Sequence, residues 1–422
     1  MSKISINSHS ENLVASIVLP ASKSISNRAA ILKEVIKQIS NKDVNLQNLS
    51  NAEDTSIILQ ALAEPKGSID IKNAGTCLRF LTAYFAASVG TEVCLISSNE
   101  RMKQRPIASL VSALKQLGAD ITYLEQEGTL PIAIKGKKLI GGTIPIEANE
   151  SSQFASALLL VSPLMESPLR LEFANKVVSK NYILMTQIMM KQFGFSCKVA
   201  ENFESVQTEK NEYKHALESY KIEADWSSAA FFYEAALLAE KADILFQNLS
   251  LQSIQGDAIL AAWMEPLGIK SLQKEEGVYI YKSKPLLESK MELDFTHHPD
   301  LAPAFICALA AAGIACNAIG LNSLIFKESN RLKALENTLK KLHFKVETDE
   351  KSYLKHDGLQ HAFYANETLH TESDHRLAMA YAMLSVHFAN INLSEIDSVK
   401  KSFPNFFQEA AKIGVKALVK KP

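Results

Sequence analysis

The sequence lacks the patterns that mark several large classes of protein. It contains no Gly-x-Gly-x-x-Gly stretch, no P-loop, no His-Glu-x-x-His pair and no Gly-x-Ser-x-Gly elbow. Dinucleotide-binding, nucleotide-triphosphate, metalloprotease and α/β-hydrolase chemistry therefore have no support. An excess of positive charge is also missing, because 45 Lys and Arg residues stand against 46 Asp and Glu residues. This balance argues against broad binding of nucleic acid or anionic membranes.

Cysteine-based and membrane-directed signals are equally scarce. The five cysteines include no Cys-x-x-Cys pair and mostly fall in apolar segments, which predicts reduced, buried thiols and no zinc site. The longest apolar stretch, 305–321, is interrupted by Gly313 and Asn317 and is shorter than the ~20 residues that cross a bilayer. The first residues show neither a secretory nor a transit pattern. We expect a cytoplasmic protein that has no metal, nucleic-acid or membrane partner.

A repeat organises the 422 residues, which are enough for two domains. Six helical segments unusually rich in small residues recur at intervals of roughly 51 to 77 residues. They begin near Ser22, Asn73, Glu150, Ala224, His297 and Glu372. Their lack of a polar stripe is typical of helices that are surrounded by other protein.

A second, amphipathic series of helices follows the first at a nearly constant offset. Its members begin near Glu53, Arg105, Ser179, Gly256, Glu328 and Lys400. Several end in a Leu-Gly or Phe-Gly pair before a short β-patterned stretch, as at Gly118 and Gly194. The two series predict an α/β protein of six units, three in each domain.

Cationic side chains cluster at or near the starts of these helices. The cluster consists of Lys23, Arg28, Arg79, Arg105, Lys327, Arg331, Arg376 and Lys401. Helix N-termini also attract anions, so we expect a small substrate that carries phosphate or carboxylate groups. Two acids lie among these cations, Asp300 and Glu328, and the pattern alone allows either helix capping or proton transfer for them.

Nine stretches together resemble one enzyme family over essentially the whole chain. They cover residues 20–29 (PASKSISNRA), 73–76 (NAGT), 101–107 (RMKQRPI), 151–154 (SSQF), 178–180 (VSK), 299–300 (PD), 327–332 (KESNRL), 374–379 (DHRLAM) and 401–404 (KSFP). In this order they are similar to the 5-enolpyruvylshikimate-3-phosphate synthases, which belong to the enolpyruvyl transferases.

The resemblance implies an α/β fold of two domains, each built from three βαβαββ units with buried helices, an inside-out α/β barrel. It places one domain at 21–222 and the other at 1–20 with 223–422, with an active-site cleft between them. It also implies that a small N-terminal strand joins the C-terminal half.

The resemblance further implies transfer of the enolpyruvyl group of phosphoenolpyruvate to the 5-hydroxyl of shikimate 3-phosphate. Phosphate is released, no metal or organic cofactor takes part, and the enzyme is a monomer. Asp300 would accept a proton, Glu328 would donate one, and Lys23 would contact both substrates. Shikimate 3-phosphate would be held by Ser24, Arg28, Ser151, Ser152, Gln153, Ser179, Ser323 and Lys327. Phosphoenolpyruvate would be held by Gly75, Arg105, Arg331, Arg376 and Lys401.

The chain departs from the family pattern at five positions. Ala21 replaces Gly, Phe80 replaces Pro, Asn181 replaces Pro, Ser323 replaces Asn and Asn330 replaces Asp. Ser323 can still donate a hydrogen bond, so we expect a retained site with altered affinity. Phe80 could shift the helix that carries Gly75.

Two other functions remain as alternatives at this stage. The sister enolpyruvyl transferase that acts on UDP-N-acetylglucosamine has Lys-Asn where this chain has Lys23-Ser24, and it has a loop Cys that 97–104 lacks. A non-catalytic binder of anionic metabolites would need the cations but neither Asp300 nor Glu328.

Overall fold

The computed structural model describes residues 4–8, 12–147, 152–175, 177–209, 213, 217–285, 290–362, 367–388 and 390–419. The chain divides into two compact units. The N-terminal unit is Ala21–Ile222, and the C-terminal unit combines Met1–Pro20 with Glu223–Pro422. Two strands at the start of the chain therefore belong to the C-terminal unit, β1 (Ile4–Asn7) and β2 (Asn12–Ile17).

The N-terminal unit alternates helices and strands. Its helices are α1 (Lys23–Ser40), α2 (Glu53–Ala63), α3 (Gly75–Ala87), α4 (Glu100–Lys103), α5 (Ala108–Gln116), α6 (Ser152–Val161) and α7 (Lys180–Gln192), with a 3₁₀ turn at Ser162–Leu164. Its strands are β3 (Asn45–Gln47), β4 (Lys66–Asp70), β5 (Glu92–Ile96), β6 (Asp120–Tyr123), β7 (Ile132–Lys135), β8 (Gly142–Ile146), β9 (Leu169–Phe173), β10 (Cys197–Val199), β11 (Ser205–Thr208) and β12 (Ser219–Lys221).

The C-terminal unit repeats this alternation. Its helices are α8 (Trp226–Leu238), α9 (Leu260–Met264), α10 (Ala302–Ala311), α11 (Arg331–Lys341), α12 (His375–Met383), α13 (Ser385–Phe388) and α14 (Phe406–Lys412). Three 3₁₀ helices lie at Gly256–Ile259, Asn322–Phe326 and Ile396–Lys401. The remaining strands are β13 (Lys241–Gln247), β14 (Ile269–Gln273), β15 (Gly277–Lys282), β16 (Lys290–Asp294), β17 (Ala315–Ile319), β18 (Phe344–Thr348), β19 (Leu354–Gln360), β20 (Thr368–Leu369), β21 (Asn390–Leu393) and β22 (Lys416–Val419).

Five four-stranded sheets share one topology, in which two parallel strands are followed by an antiparallel pair. Their orders are β4-β5-β7-β6, β8-β9-β11-β10, β2-β13-β15-β14, β16-β17-β19-β18 and β20-β21-β1-β22. In the last sheet, β1 from the start of the chain takes the third place. A sixth sheet consists of β3 parallel to β12 within the described residues.

Several of the small-residue helices connect two parallel neighbours of one sheet, because such neighbours need a crossover. Thus α3 leads from β4 to β5, α6 from β8 to β9, and α10 from β16 to β17. All ten residues of α10 are buried, as are all residues of α3 except Thr76. The prediction of buried helices without a polar stripe is therefore confirmed for these two, whereas α1 exposes residues 37–39.

The amphipathic helices and the glycines that end them also lie where the sequence predicts them. Helix α11 buries Leu332, Leu335 and Leu339 and exposes lysines on its other side. Gly118 and Gly194 follow α5 and α7 with φ of 95° and 88°, the left-handed conformation that closes a helix before a strand.

Two predicted absences can be compared with the described residues. There, no helix combines the length and the hydropathy that a membrane crossing requires. No disulfide joins the five cysteines, and four of them are buried.

Candidate active site

In the N-terminal unit, several of the predicted site residues lie where helices begin. Lys23, Gly75 and Ser152 are the first described residues of α1, α3 and α6, and Ser179 directly precedes α7. The first N–H groups of a helix have no partner inside the helix, so these positions present donors to an anion. Ser151, the neighbour of Ser152, lies outside the described residues.

Arg28 is the most deeply buried of the predicted substrate-binding cations of this unit, with 2% of the residue exposed. Its Nε donates to Thr186 Oγ1 at 2.8 Å and its Nη1 donates to the Ser24 carbonyl at 2.9 Å. Its Nη2 donates to Ser156 Oγ and to the Tyr182 carbonyl, both at 3.2 Å. The guanidinium thus joins α1 to α6 and α7.

The partners of Arg28 leave its charge uncompensated. Among the described residues they are two hydroxyls and two carbonyls, and no carboxylate forms an ion pair with it. Burial lowers the pKa of Arg28 to about 10, against a smaller opposing effect of Tyr182, so the group stays charged at neutral pH. A buried cation held only by neutral groups favours an anionic ligand.

Lys23 is held by a carboxylate from the neighbouring helix. Its Nζ lies 3.1 Å from Oδ2 of Asp54, a buried side chain in the first turn of α2. Since Lys23 opens α1, this ion pair fixes an ammonium beside the start of a helix.

The start of α3 lies against two guanidinium groups. A Cβ atom on Gly75 would be 2.5 Å from Arg105 Nη1 and 2.6 Å from Arg79 Nη1. Arg79 donates from Nη1 to the Gly75 carbonyl at 2.8 Å and from Nη2 to the Pro106 carbonyl at 3.2 Å. Glycine is therefore required here for close approach of the two cations.

The other predicted residues of this unit are polar and wholly or partly buried. Gln153 donates from Nε2 to Thr76 Oγ1 at 3.3 Å, which ties the first turn of α6 to that of α3. Ser152 and Ser179 are buried, and Ser179 takes a left-handed conformation with φ of 52°.

In the C-terminal unit, the predicted cation Arg331 is held by a carboxylate that sequence reasoning gave no role. Asp374 is fully buried and caps α12 by accepting from the Arg376 N–H at 2.9 Å. Arg331 donates to it from Nε at 2.8 Å and from Nη2 at 3.2 Å, and Ser329 Oγ donates at 3.2 Å. Asp374 thereby fixes Arg331 by a bidentate pair of hydrogen bonds.

Asp300 contacts three cations just before α10. Its carboxylate lies 3.2 Å from Arg331 Nη1, 3.5 Å from Lys327 Nζ and 3.1 Å from Arg376 Nη2. Arg376 also donates from Nη1 to the Asp300 carbonyl at 3.3 Å.

Glu328 contacts two cations. One carboxylate oxygen accepts from Arg331 Nη2 at 2.8 Å, and the other accepts from Lys401 Nζ at 2.9 Å. The Arg331 guanidinium therefore bridges Asp300, Glu328 and Asp374.

This network, formed by Lys327, Arg331, Arg376, Lys401, Asp300, Glu328 and Asp374, carries one positive charge in excess when all seven groups are ionised. Burial lowers the pKa of Lys327, and the nearby Asp300 only partly offsets that effect. Burial would also lower the pKa of Arg331, but Asp374, Glu328 and Asp300 outweigh it and raise that pKa. The network favours a small anion that can exchange for its carboxylates.

The remaining predicted residue and one departure lie nearby in the chain. Ser323 is half-buried in the 3₁₀ helix that ends just before Lys327. Asn330, where the family pattern has Asp, caps α11 by accepting from the Lys333 N–H at 3.1 Å. The capping function is thus retained without the charge.

Sequence reasoning missed the acids that hold the cations, Asp54 and Asp374. Asp374 could have been suspected because it directly precedes a buried helix and the cation Arg376.

Within the described residues, no group of three or more His, Cys, Asp and Glu side chains could hold a metal ion.

Comparisons with known proteins agree on one family. A family model described as EPSP synthase (3-phosphoshikimate 1-carboxyvinyltransferase) matches residues 58–410. A protein of Bacteroides fragilis (strain YCH46) named 3-phosphoshikimate 1-carboxyvinyltransferase is 38% identical over 400 residues, 95% of each chain. One of the same name from Haemophilus influenzae (strain Rd) is 32% identical over 427 residues, covering 95% of this chain and 96% of its own. A solved EPSP synthase structure from Acinetobacter baumannii has a TM-score of 0.78 over 100% of both chains at 19% identity, a likeness of fold.

Proposed function

The chain belongs to the EPSP synthase family, and from this membership we propose that it transfers the enolpyruvyl group of phosphoenolpyruvate to the 5-hydroxyl of shikimate 3-phosphate. Inorganic phosphate is the second product. The reaction is a step of the shikimate pathway, which leads to chorismate and the aromatic amino acids.

The observation that carries the chemistry is the bridging of Asp300 and Glu328 by Arg331. Addition of an alcohol to an enol carbon needs a base for the hydroxyl proton and an acid for the methylene carbon. Two carboxyl groups fixed by one guanidinium provide such a pair. A protein that only bound these anions would need neither acid.

In the addition step, Asp300 takes the proton of the 5-hydroxyl as the oxygen bonds to the central carbon of phosphoenolpyruvate. Glu328 gives a proton to the methylene carbon, which becomes a methyl group. In the elimination step, the bond from carbon to the phosphate oxygen breaks and the methyl group returns a proton. The double bond reforms, and phosphate leaves with the electron pair of the broken bond and takes up the proton that Asp300 removed from the 5-hydroxyl.

We assign phosphoenolpyruvate to Gly75, Arg105, Arg331, Arg376 and Lys401. Its phosphate and carboxylate would compete with Glu328 for Arg331 and Lys401, which now bind both oxygens of that acid. Binding would thus release Glu328 to hold the proton that it donates. The same cations then stabilise the charge of the departing phosphate.

We assign shikimate 3-phosphate to Ser24, Arg28, Ser151, Ser152, Gln153, Ser179, Ser323 and Lys327, with Lys23 in contact with both substrates. The support is the buried, uncompensated charge of Arg28 and the helix starts around it. We further propose that residues of both units bind the substrates, that no cofactor takes part, and that the enzyme is a cytoplasmic monomer.

Phosphate release tests the proposal directly. The purified protein is mixed with shikimate 3-phosphate, phosphoenolpyruvate or both, and inorganic phosphate is measured. Release that requires both substrates is expected. A folded protein that releases none contradicts the proposal, and UDP-N-acetylglucosamine would then be offered as the acceptor.

The variant Glu328→Gln separates catalysis from binding. It keeps the shape of the side chain but removes the transferable proton, so turnover should fall by roughly 10²- to 10⁴-fold. Calorimetry should still detect bound substrate. Glu347→Gln is the matched control, because this exposed residue pairs with Lys355 and Tyr353 of its own β-hairpin, and the change should leave turnover unchanged. Equal turnover of both variants would remove Glu328 from the mechanism.

A further inference from the structure

Phe80 lies in the second turn of α3, five residues after Gly75, and its ring is almost completely buried. The central carbon of the Arg28 guanidinium lies over this ring, 5.3 Å from its centre. The Tyr182 ring lies 5.7 Å from the same carbon. Distances below ~6 Å are those at which an aromatic ring attracts a cation.

The rings supply what the hydrogen bonds of Arg28 do not. Four of its five N–H donors bond neutral oxygens of the described residues, so no opposite charge balances the guanidinium. The negative face of an aromatic ring attracts a cation most strongly where water is excluded. A Pro at position 80, which the family pattern has there, could not provide this attraction.

We propose that Phe80 is a positioning residue for shikimate 3-phosphate, whose ring holds the Arg28 guanidinium in its binding orientation without touching the substrate. This inference rests on the proposed function, which assigns Arg28 to that substrate. It gives the Phe80 departure a role within the site.

The effect on binding follows from the burial of Arg28. Without the ring, the charged Arg28 side chain would be more stable turned towards water. Only the fraction of protein molecules that keeps Arg28 in its binding orientation could then bind shikimate 3-phosphate. The apparent Kd rises by the inverse of that fraction. Cation–π attraction at a desolvated site corresponds to a rise of about five- to thirtyfold.

Two changes at position 80 separate the ring's charge distribution from its size. Phe80→Leu removes the ring. Site-specific incorporation of a trifluorinated phenylalanine keeps the shape but withdraws electrons from the ring face. The Kd of shikimate 3-phosphate alone is measured by calorimetry, and both KM values by phosphate release. Phe85→Leu is the matched control, since Phe85 is equally buried on α3 and its ring contacts Tyr84.

The expected order of Kd is wild type, then the fluorinated protein, then Phe80→Leu, with the last five- to thirtyfold above the first. The fluorinated protein should keep the wild-type KM for phosphoenolpyruvate, and Phe85→Leu the wild-type Kd. A fluorinated protein that binds like wild type overturns the inference, even if Phe80→Leu binds weakly, because packing alone then explains the loss. If Phe80→Leu does not fold, the fluorinated protein still decides. Wild-type protein that releases no phosphate from both substrates refutes the proposed function instead.

Discussion

Replacing Gly75 by Ala tests the geometry of the residues that we propose to bind phosphoenolpyruvate. The added Cβ would lie 2.5 Å from Arg105 Nη1 and 2.6 Å from Arg79 Nη1, whereas ordinary contact begins at 3.4 Å. Arg79 is buried and donates to two carbonyls, so it has little room to move. Arg105 is half-buried, and its guanidinium should retreat by about 0.9 Å.

The expected effect falls mainly on substrate affinity and to a smaller extent on stability. Displacement of a binding group by ~1 Å can cost up to about a hundredfold, so the KM for phosphoenolpyruvate should rise roughly ten- to a hundredfold. The new methyl group also presses on the buried Arg79, so the free energy of unfolding should fall by up to about 2 kcal/mol, since the helix propensity of Ala offsets only part of that strain. The Kd of shikimate 3-phosphate should stay the same, because Arg28 does not contact Gly75.

A double-mutant cycle identifies the cause. If Gly75→Ala acts through Arg105, its effect on the KM for phosphoenolpyruvate should largely disappear in an Arg105→Lys background. Additive effects would show that the new methyl group acts elsewhere. An unchanged KM for phosphoenolpyruvate in Gly75→Ala would refute the assignment of Arg105 to this substrate.

Two further predictions concern buried acids of the C-terminal unit. Asp374→Asn removes the charge that fixes Arg331, so the free energy of unfolding should fall by about 3–5 kcal/mol and turnover should fall as well. An unchanged unfolding midpoint in urea would contradict the pairing. Glu234 has no hydrogen-bond partner among the described residues, and burial raises its pKa well above 4.5. Above that pH the unfolded chain loses this proton while the folded protein keeps it, so wild-type stability should decline relative to Glu234→Gln by up to about 1.4 kcal/mol per pH unit. Urea unfolding at several pH values measures this, and parallel curves for the two proteins would refute it.

Much of the fold could be predicted from the sequence because its buried helices have an unusual composition. The helices of most globular proteins show one apolar stripe, but α3, α8 and α10 are apolar on nearly every side. This made their positions and their repeat visible without any knowledge of the strands. Glycines with positive φ, such as Gly118, then marked where the amphipathic helices end.

The pairing of these counter-ions with their cations could not be predicted, because the signals of the acids are those of ordinary helix starts. Asp374 precedes a helix and Asp54 lies in a first turn, and acids are common at both positions for capping and dipole reasons alone. What distinguishes them is a partner distant in sequence. Arg331 lies 43 residues before Asp374, and Lys23 lies 31 residues before Asp54. Only the packed structure brings such pairs together.

Arg28 and Arg331 are held in different ways, and the proposed reaction uses both. Arg28 has neutral partners, so an anion can add to it without displacing any carboxylate. Arg331 and Lys401 are already paired, so an anion must exchange with Glu328 there. An exchange contributes less net affinity than an addition, because one ion pair is lost for each one gained. In the proposed reaction, the binding energy of phosphoenolpyruvate would release Glu328 to give its proton, which would couple substrate binding to the first chemical step.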